Sequence, residues 1–212
     1  MKKLIYTGSG VALVTPMHKD GSINYEKYGE LIEFQISHGT DAIIACATTG
    51  ESPVLNHEEH CKALEYVIQK VNKRVPVIAS TGSNDTTYAV QLSQEAERMG
   101  ADALLSVTPY YNKTSQRGLI VHYNTIADSV NIPLIVYLPM ILYNVPSRTG
   151  CNIKPETYLE LSKHPNINAV KEANGDISSV AKTIALCGDD LYVYSGNDDQ
   201  TLPMLALGGK GV

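Results

Sequence analysis

From Asn24 onward, stretches whose apolar residues recur every three or four positions alternate with short β-branched runs, the pattern of βα units on a parallel sheet. Residues 10–14 predict a first strand, after which Tyr28, Leu31, Ile32 and Ile36 share one face of a helix that Gly39 stops. Residues 42–45 predict strand two. The helix after Asn56 sets Cys61, Leu64, Val67, Ile68 and Val71 on one side, with a solvated polar face opposite. Residues 76–79 predict strand three, and Asn84 or Asp85 caps a helix with Ala89, Leu92, Ala96 and Met99 inward and Gly100 at its end. Strand four spans 103–107. A helix over 115–130 buries Leu119, Tyr123, Ile126 and Val130; strands five, six and seven start near 132, 167 and 191, with helices over 155–163 and 177–186 between them.

An internal echo supports one repeating unit. Ser37 to Ile44 and Arg98 to Leu105 each run from a helix end through a glycine and an Asp-Ala pair into a strand, and units recur about every 30 residues. Strand one leads to Thr15-Pro16-Met17 and not to a glycine-rich phosphate loop, so steady repetition favours a (β/α)8 TIM barrel over a doubly wound sheet. With 212 residues against about 250 for that fold, and a last stretch Gly208-Gly209-Lys210-Gly211-Val212 that approaches an eighth strand, the expectation is a single domain over 1–212, truncated before strand eight and lacking the C-terminal helices. Strands one and seven would then be unpaired edges. Strand five holds a second irregularity. Ile132-Pro133-Leu134-Ile135-Val136-Tyr137 is followed by Leu138-Pro139-Met140-Ile141-Leu142-Tyr143, a six-residue tandem duplication at 132–143. Six strand residues span about 20 Å, so only one copy fits the wall, and an even insertion preserves which face each residue shows. The second copy carries the downstream loop, so it is expected in the sheet and the first copy extruded.

Composition narrows the class. A net charge of −5 without a basic patch argues against nucleic acid as a partner. Cys46, Cys61, Cys151 and Cys187 show no C-x-x-C spacing, and three of the four lie in apolar surroundings, which reads as free thiols in a reducing compartment. No stretch has the length of a membrane span or the apolar core of a signal peptide, and a cytoplasmic location is expected.

In such a barrel, chemistry sits at the C-terminal strand ends. There the chain places Thr48-Thr49-Gly50-Glu51-Ser52, Thr108-Pro109-Tyr110-Tyr111-Asn112, Tyr143 to Gly150, Lys171 and Ser195-Gly196-Asn197. Lys171, at the end of an apolar strand, has two readings: a solvated or ion-paired lysine, with Glu172 or Asp176 as partner, or an activated amine. Neither a metal-ligand cluster nor a His-Asp-Ser set accompanies it, so the second reading points to Schiff-base chemistry on a carbonyl, with Tyr143 as proton shuttle and Arg148 as carboxylate clamp. Singly, Thr48 and Thr49 could cap a turn, Tyr110 and Tyr111 could be packing aromatics, Arg148 a surface charge, and His57 and His60 residues on the exposed side of a helix start.

Together, Ala47-Thr48-Thr49-Gly50-Glu51-Ser52, Tyr110-Tyr111-Asn112, Tyr143 to Gly150 and Val170-Lys171-Glu172-Ala173 resemble the dihydrodipicolinate synthase family. The resemblance covers the whole chain. It implies a pyruvate-dependent lyase, a homotetramer that uses no metal and no dissociable cofactor and condenses pyruvate with L-aspartate 4-semialdehyde on the route to diaminopimelate and lysine. It implies that Lys171 forms the Schiff base, that Tyr143, Thr48 and Tyr111 relay protons, Tyr111 from a neighbouring subunit, that Thr49 and Gly196 seat pyruvate, and that Arg148 holds the semialdehyde carboxylate. N-acetylneuraminate lyases and keto-sugar-acid aldolases share the lysine and tyrosine but generally lack the arginine, and a catalytically inactive homologue is a further alternative. Ala47 stands where the family has glycine. Ser52, His57, His60, Asn84 and Tyr110 match an allosteric lysine pocket of some members, whereas Tyr88 replaces a glutamate there, which should weaken capture of an ammonium group.

Overall fold

A computed structural model describes residues 2–130 and 138–212. Seven parallel strands follow one another in chain order around a curled sheet: β1 (Gly10–Ala12), β2 (Ala42–Ala45), β3 (Val77–Ser80), β4 (Ala103–Val107), β5 (Met140–Asn144), β6 (Ile167–Glu172) and β7 (Tyr192–Ser195). The helices between them are α1 (Tyr25–Ser37), α2 (His57–Val71), α3 (Thr86–Met99), α4 (Gln116–Ser129), the short α5 (Pro146–Thr149), α6 (Pro155–Leu161), α7 (Ile177–Cys187) and α8 (Thr201–Ala206). Among the described residues, no helix is long and apolar enough to cross a membrane.

Local chemistry places the helix ends. Asn56 and Glu59 form a reciprocal capping box at the start of α2, Asp85 accepts from Thr87 N–H ahead of α3, and Asp176 accepts from Ser178 and Ser179 N–H ahead of α7. Gly100 closes α3 at φ 89°, a left-handed conformation that glycine adopts without strain.

The strands alternate between two apolar layers. Ile43, Val77, Leu104, Leu142 and Val170 pack outward against the helices, while Ile44, Ile78, Leu105, Ile141 and Ala169 fill the barrel interior. On β6 the alternation is reset. Ile167 belongs to the outer layer and Ala169 to the inner one, although they are two residues apart. The pairing steps from Met140↔Ile167 to Ile141↔Ala169, so Asn168 is an extra residue in the ladder, a β-bulge. Its consequence is that Ala169, Lys171 and Ala173 share the inward phase.

As expected, strand five is drawn from the second copy of the duplication, with β5 beginning at Met140. The first copy lies outside the described residues. The expectation of free edges at strands one and seven is corrected. Lys210 N–H donates to the Val193 carbonyl (2.8 Å) and Ser195 N–H to Gly211 (2.8 Å), while Gly8 and Gly10 N–H donate to Lys210 (2.9 Å) and Val212 (2.7 Å). Gly211 thus bridges both β7 and Gly8 beside β1. A Cβ on Gly211 would lie 2.0 Å from the Gly8 carbonyl oxygen, so the close approach requires glycine. Inside, Tyr6 stacks on Tyr194 at 4.4 Å, and the Tyr194 hydroxyl donates to the Tyr6 carbonyl at 2.7 Å. This pins the N-terminal segment beneath the strands.

Candidate active site

Lys171 is paired in register with Tyr143 on β5 and Tyr194 on β7, and its Nζ stands 5.0 Å from the centroid of the Tyr143 ring. Neither proposed salt-bridge partner reaches it. Glu172, the next residue, points to the opposite face, where it accepts from Tyr158, Asn144 and Asn174, and Asp176 is occupied in capping α7. Among the described residues Lys171 forms no ion pair. Burial therefore lowers its pKa from the ordinary lysine value, opposed only by Asp198, and a larger fraction of the amine is neutral. Burial also raises the Tyr143 phenol, with the nearby Arg148 pulling the other way. A nucleophilic amine and a protonated phenol side by side can attack a carbonyl and deliver a proton to its oxygen.

The other candidate residues lie in the segments that follow the C-terminal ends of the strands. Thr48 and Thr49 open a 3-10 turn (Thr48–Gly50) whose N-cap is Ala47, and neither hydroxyl caps it, so both remain open to a ligand. Arg148, on α5, is exposed with no ion pair among the described residues. Tyr111 is 89% exposed and holds φ 71°, a left-handed conformation unusual for a tyrosine, so its side chain is directed away from this chain's own core. Gly196 donates its N–H to the Glu172 carbonyl at 2.8 Å, and a Cβ there would meet the Ala173 Cβ at 2.9 Å. Gly196→Ala is expected to cost about 1–3 kcal/mol through overpacking between the ends of β6 and β7. A thermal melt should fall by about 5 °C. An unchanged melting temperature would show that the loop simply yields.

Of the five candidate effector residues, the structure gathers some and redirects others. His57 Nδ1 lies 3.3 Å from the Tyr88 hydroxyl, and Tyr110 contributes to the electrostatic surroundings of Tyr88. Ser52 sits in a 3-10 turn (Ser52–Val54) before α2. Asn84 lines a surface cleft of about 410 Å³ with Asn112, Arg117 and His122. His60 corrects the expectation of an exposed pair: only His57 is exposed, whereas His60 is 6% exposed and its Nε2 bonds the Ser80 carbonyl at 3.0 Å. The physical reason is the 3.6-residue period, which turns position 60 toward β3 with Ala63, Leu64 and Val67.

One polar group of consequence was not read as a site from the sequence. The Glu172 carboxylate is 3% exposed, and its four hydrogen bonds tie β6 to Asn144 at the end of β5, to Tyr158 on α6 and to the turn at Asn174. Asn144 extends the network to the Asn152 side chain (2.8 Å) and the Ile153 N–H (3.2 Å). The available signal was a carboxylate two positions after Val170, on the apolar outward face of a strand.

Comparison with known proteins agrees with this geometry. Residues 6–212 match the model of the dihydrodipicolinate synthetase family. The 4-hydroxy-tetrahydrodipicolinate synthase of Acetivibrio thermocellus is 57% identical over 212 residues, covering all of this chain and 70% of the relative. The chloride-inhibited dihydrodipicolinate synthase of Acinetobacter baumannii, crystallised with pyruvate, superposes with a TM-score of 0.91 at 43% identity, over 97% of this chain and 68% of that one. The Cyanidioschyzon merolae enzyme with lysine bound gives 0.91 at 38% identity, over 97% and 69%. With its family model matched nearly end to end, and its barrel shared with these enzymes, this chain belongs to the dihydrodipicolinate synthetase family.

Proposed function

We propose that this chain is a lyase of lysine and diaminopimelate biosynthesis that condenses pyruvate with L-aspartate 4-semialdehyde, the activity for which its relatives are named. The observation that carries the mechanism is the desolvated amine of Lys171, without an ion pair among the described residues, beside the Tyr143 phenol. The neutral amine attacks the keto carbon of pyruvate, water leaves as the imine forms, and Tyr143, Thr48 and Tyr111 carry protons to and from the departing oxygen. Loss of a methyl proton gives the enamine, whose carbon attacks the aldehyde of the second substrate. Thr49 and Gly196 seat the pyruvate, and Arg148, exposed on α5, holds the semialdehyde carboxylate with its guanidinium fork. Names and arginine together favour the synthase over a sugar-acid aldolase.

The exposure of Tyr111 supports an assembly in which its hydroxyl completes a neighbouring subunit's relay, as expected for a homotetramer. A lysine effector would meet His57, Ser52, Tyr110 and Asn84 with little help from His60, whose Nε2 is already engaged. Weak feedback is the consequence.

Arg148 gives the sharpest test of the second substrate. In a coupled condensation assay, Arg148→Ala should raise the KM for aspartate semialdehyde by about 100-fold, the loss of a charge-assisted bidentate contact worth about 3 kcal/mol. Pyruvate binding should be left intact. Equal loss toward both substrates, or turnover of N-acetylneuraminate, would overturn the assignment.

A further inference from the structure

A second cluster of reactive groups lies on the outer surface, between α2 and α3. His57 and Cys61 are one helical turn apart on α2 and present their side chains on the same face. Glu95, on α3, faces both. Cys61 Sγ donates to Glu95 Oε2 at 3.0 Å, His57 Nε2 stands 3.4 Å from the same oxygen, and Sγ and Nε2 are 3.9 Å apart. Bond lengths of about 2.3 Å for sulfur and 2.0–2.1 Å for nitrogen and oxygen around a tetrahedral zinc ion place its ligand atoms about 3.3–3.6 Å from one another. The three observed separations bracket that range, so a small shift of side-chain tips suffices to close it.

The surrounding groups hold the ligands as a metal site requires. His57 Nδ1 is 3.3 Å from the Tyr88 hydroxyl, which fixes the ring and directs Nε2 toward the cluster. Gln91, one turn before Glu95, donates to Glu95 Oε1 at 3.3 Å, steadying the carboxylate through the oxygen that faces away from Cys61 and His57. Tyr88, Gln91 and Glu95 recur at helical spacing along one face of α3, so a single stripe supplies one ligand and two supports. A carboxylate oxygen and an imidazole nitrogen converge at 3.4 Å beside a thiol, and Gln91 Nε2 lies 3.4 Å from the same imidazole nitrogen. A cation between them would replace these contacts with ligand bonds.

We propose that His57, Cys61 and Glu95 form a site for a divalent transition metal of the zinc class, cross-linking α2 to α3. Thiolate, imidazole and carboxylate together suit Zn²⁺ and Co²⁺ over Mg²⁺ or Ca²⁺, which take oxygen ligands. Binding releases the Cys61 thiol proton to solvent, forms the metal–thiolate bond in place of the hydrogen bond to Glu95, and leaves a fourth coordination position open to solvent. The site does not rest on the proposed reaction. Its occupancy would also immobilise His57, one of the candidate effector residues.

Titration of the full, tag-free chain with Co²⁺ tests this directly. The expected result is one equivalent bound, with the charge-transfer absorption of a cobalt–thiolate bond that Zn²⁺ abolishes by competition. Cys61→Ser should remove that absorption while leaving the thermal melt unchanged, since serine preserves the shape at a partly buried position. His57→Ala and Glu95→Gln should each weaken Co²⁺ binding at least tenfold. Absence of the absorption in the unmodified chain overturns the proposal, as does an absorption that survives Cys61→Ser or an affinity unmoved by both other variants.

Discussion

Lys171→Met is expected to abolish the borohydride-trapped pyruvate adduct and to lower kcat/KM by at least about 10⁴-fold, while leaving the melting temperature equal or higher. The two halves of that result follow from one observation. The buried amine stands beside the Tyr143 ring, without an ion pair among the described residues, so its charged form lacks the hydration it has in the unfolded chain. Burial lowers its pKa for this reason, and below that pKa the folded state carries the cost of a desolvated cation. Methionine matches the length of the stem and removes that cost. A structural lysine would behave oppositely, because loss of an ion pair leaves its partner unsatisfied and lowers the melting temperature. Peptide mapping of the trapped protein locates the adduct. An adduct that persists on another lysine in the variant, or a melting temperature several degrees lower, would place Lys171 outside the chemistry. The same account predicts that trapping quickens as pH rises through the lowered pKa, since only the neutral amine attacks.

What the sequence made legible depended on how local each cause was. Strand four, the start of the helix after Asn56 and the cap at Asp85 are set by neighbours in the chain, and periodicity plus capping chemistry placed them. Lys171 and Tyr143 were visible because a cation and a phenol interrupt apolar strands at their C-terminal ends. The bulge at Asn168 was not visible, since a regular alternation assigns Ile167 and Lys171 to one face, and only pairing with β5 shows the extra residue that separates them. His60 was misplaced because a polar residue at a helix start reads as solvated, although the helical period sets it on the buried face with Ala63, Leu64 and Val67. Ring closure was missed for a different reason: Gly211 reaches two strands at once only through a backbone approach that no local pattern encodes. The His57, Cys61 and Glu95 cluster joins two helices, with Cys61 and Glu95 34 residues apart, beyond the reach of any spacing motif.

Glu172→Ala is expected to be the most destabilising single change near the site, by about 3–5 kcal/mol, with a melting temperature lower by about 10 °C. The carboxylate accepts from Asn144 Nδ2 at 2.9 and 3.1 Å, from the Tyr158 hydroxyl at 2.7 Å and from Asn174 N–H at 2.9 Å. Its removal leaves those donors buried without an acceptor, at about 1–3 kcal/mol each before relaxation and entry of water. The residue also gives stability a distinctive pH dependence. Burial pushes its pKa up from 4.5 to about 7, against the pull of the donors. Between those values the folded chain holds a proton that the unfolded chain has released, so stability falls as pH rises from about 4.5 to about 7 and is flat above, a change of about 3 kcal/mol from this group. Glu172→Gln keeps the shape without the titration, and its stability profile should lack that decline while still suffering a donor opposed to a donor. Denaturant titrations of the three proteins at pH 5 and pH 7.5 separate the effects. The same carboxylate joins Asn144, beside Tyr143, to the residue beside Lys171, so both variants should also lower kcat more than they raise KM, as a widened gap between phenol and amine would. If Glu172→Ala melts within about 2 °C of the parent and turns over normally, the network is dispensable, and the spacing of β5 and β6 is held by the ladder alone.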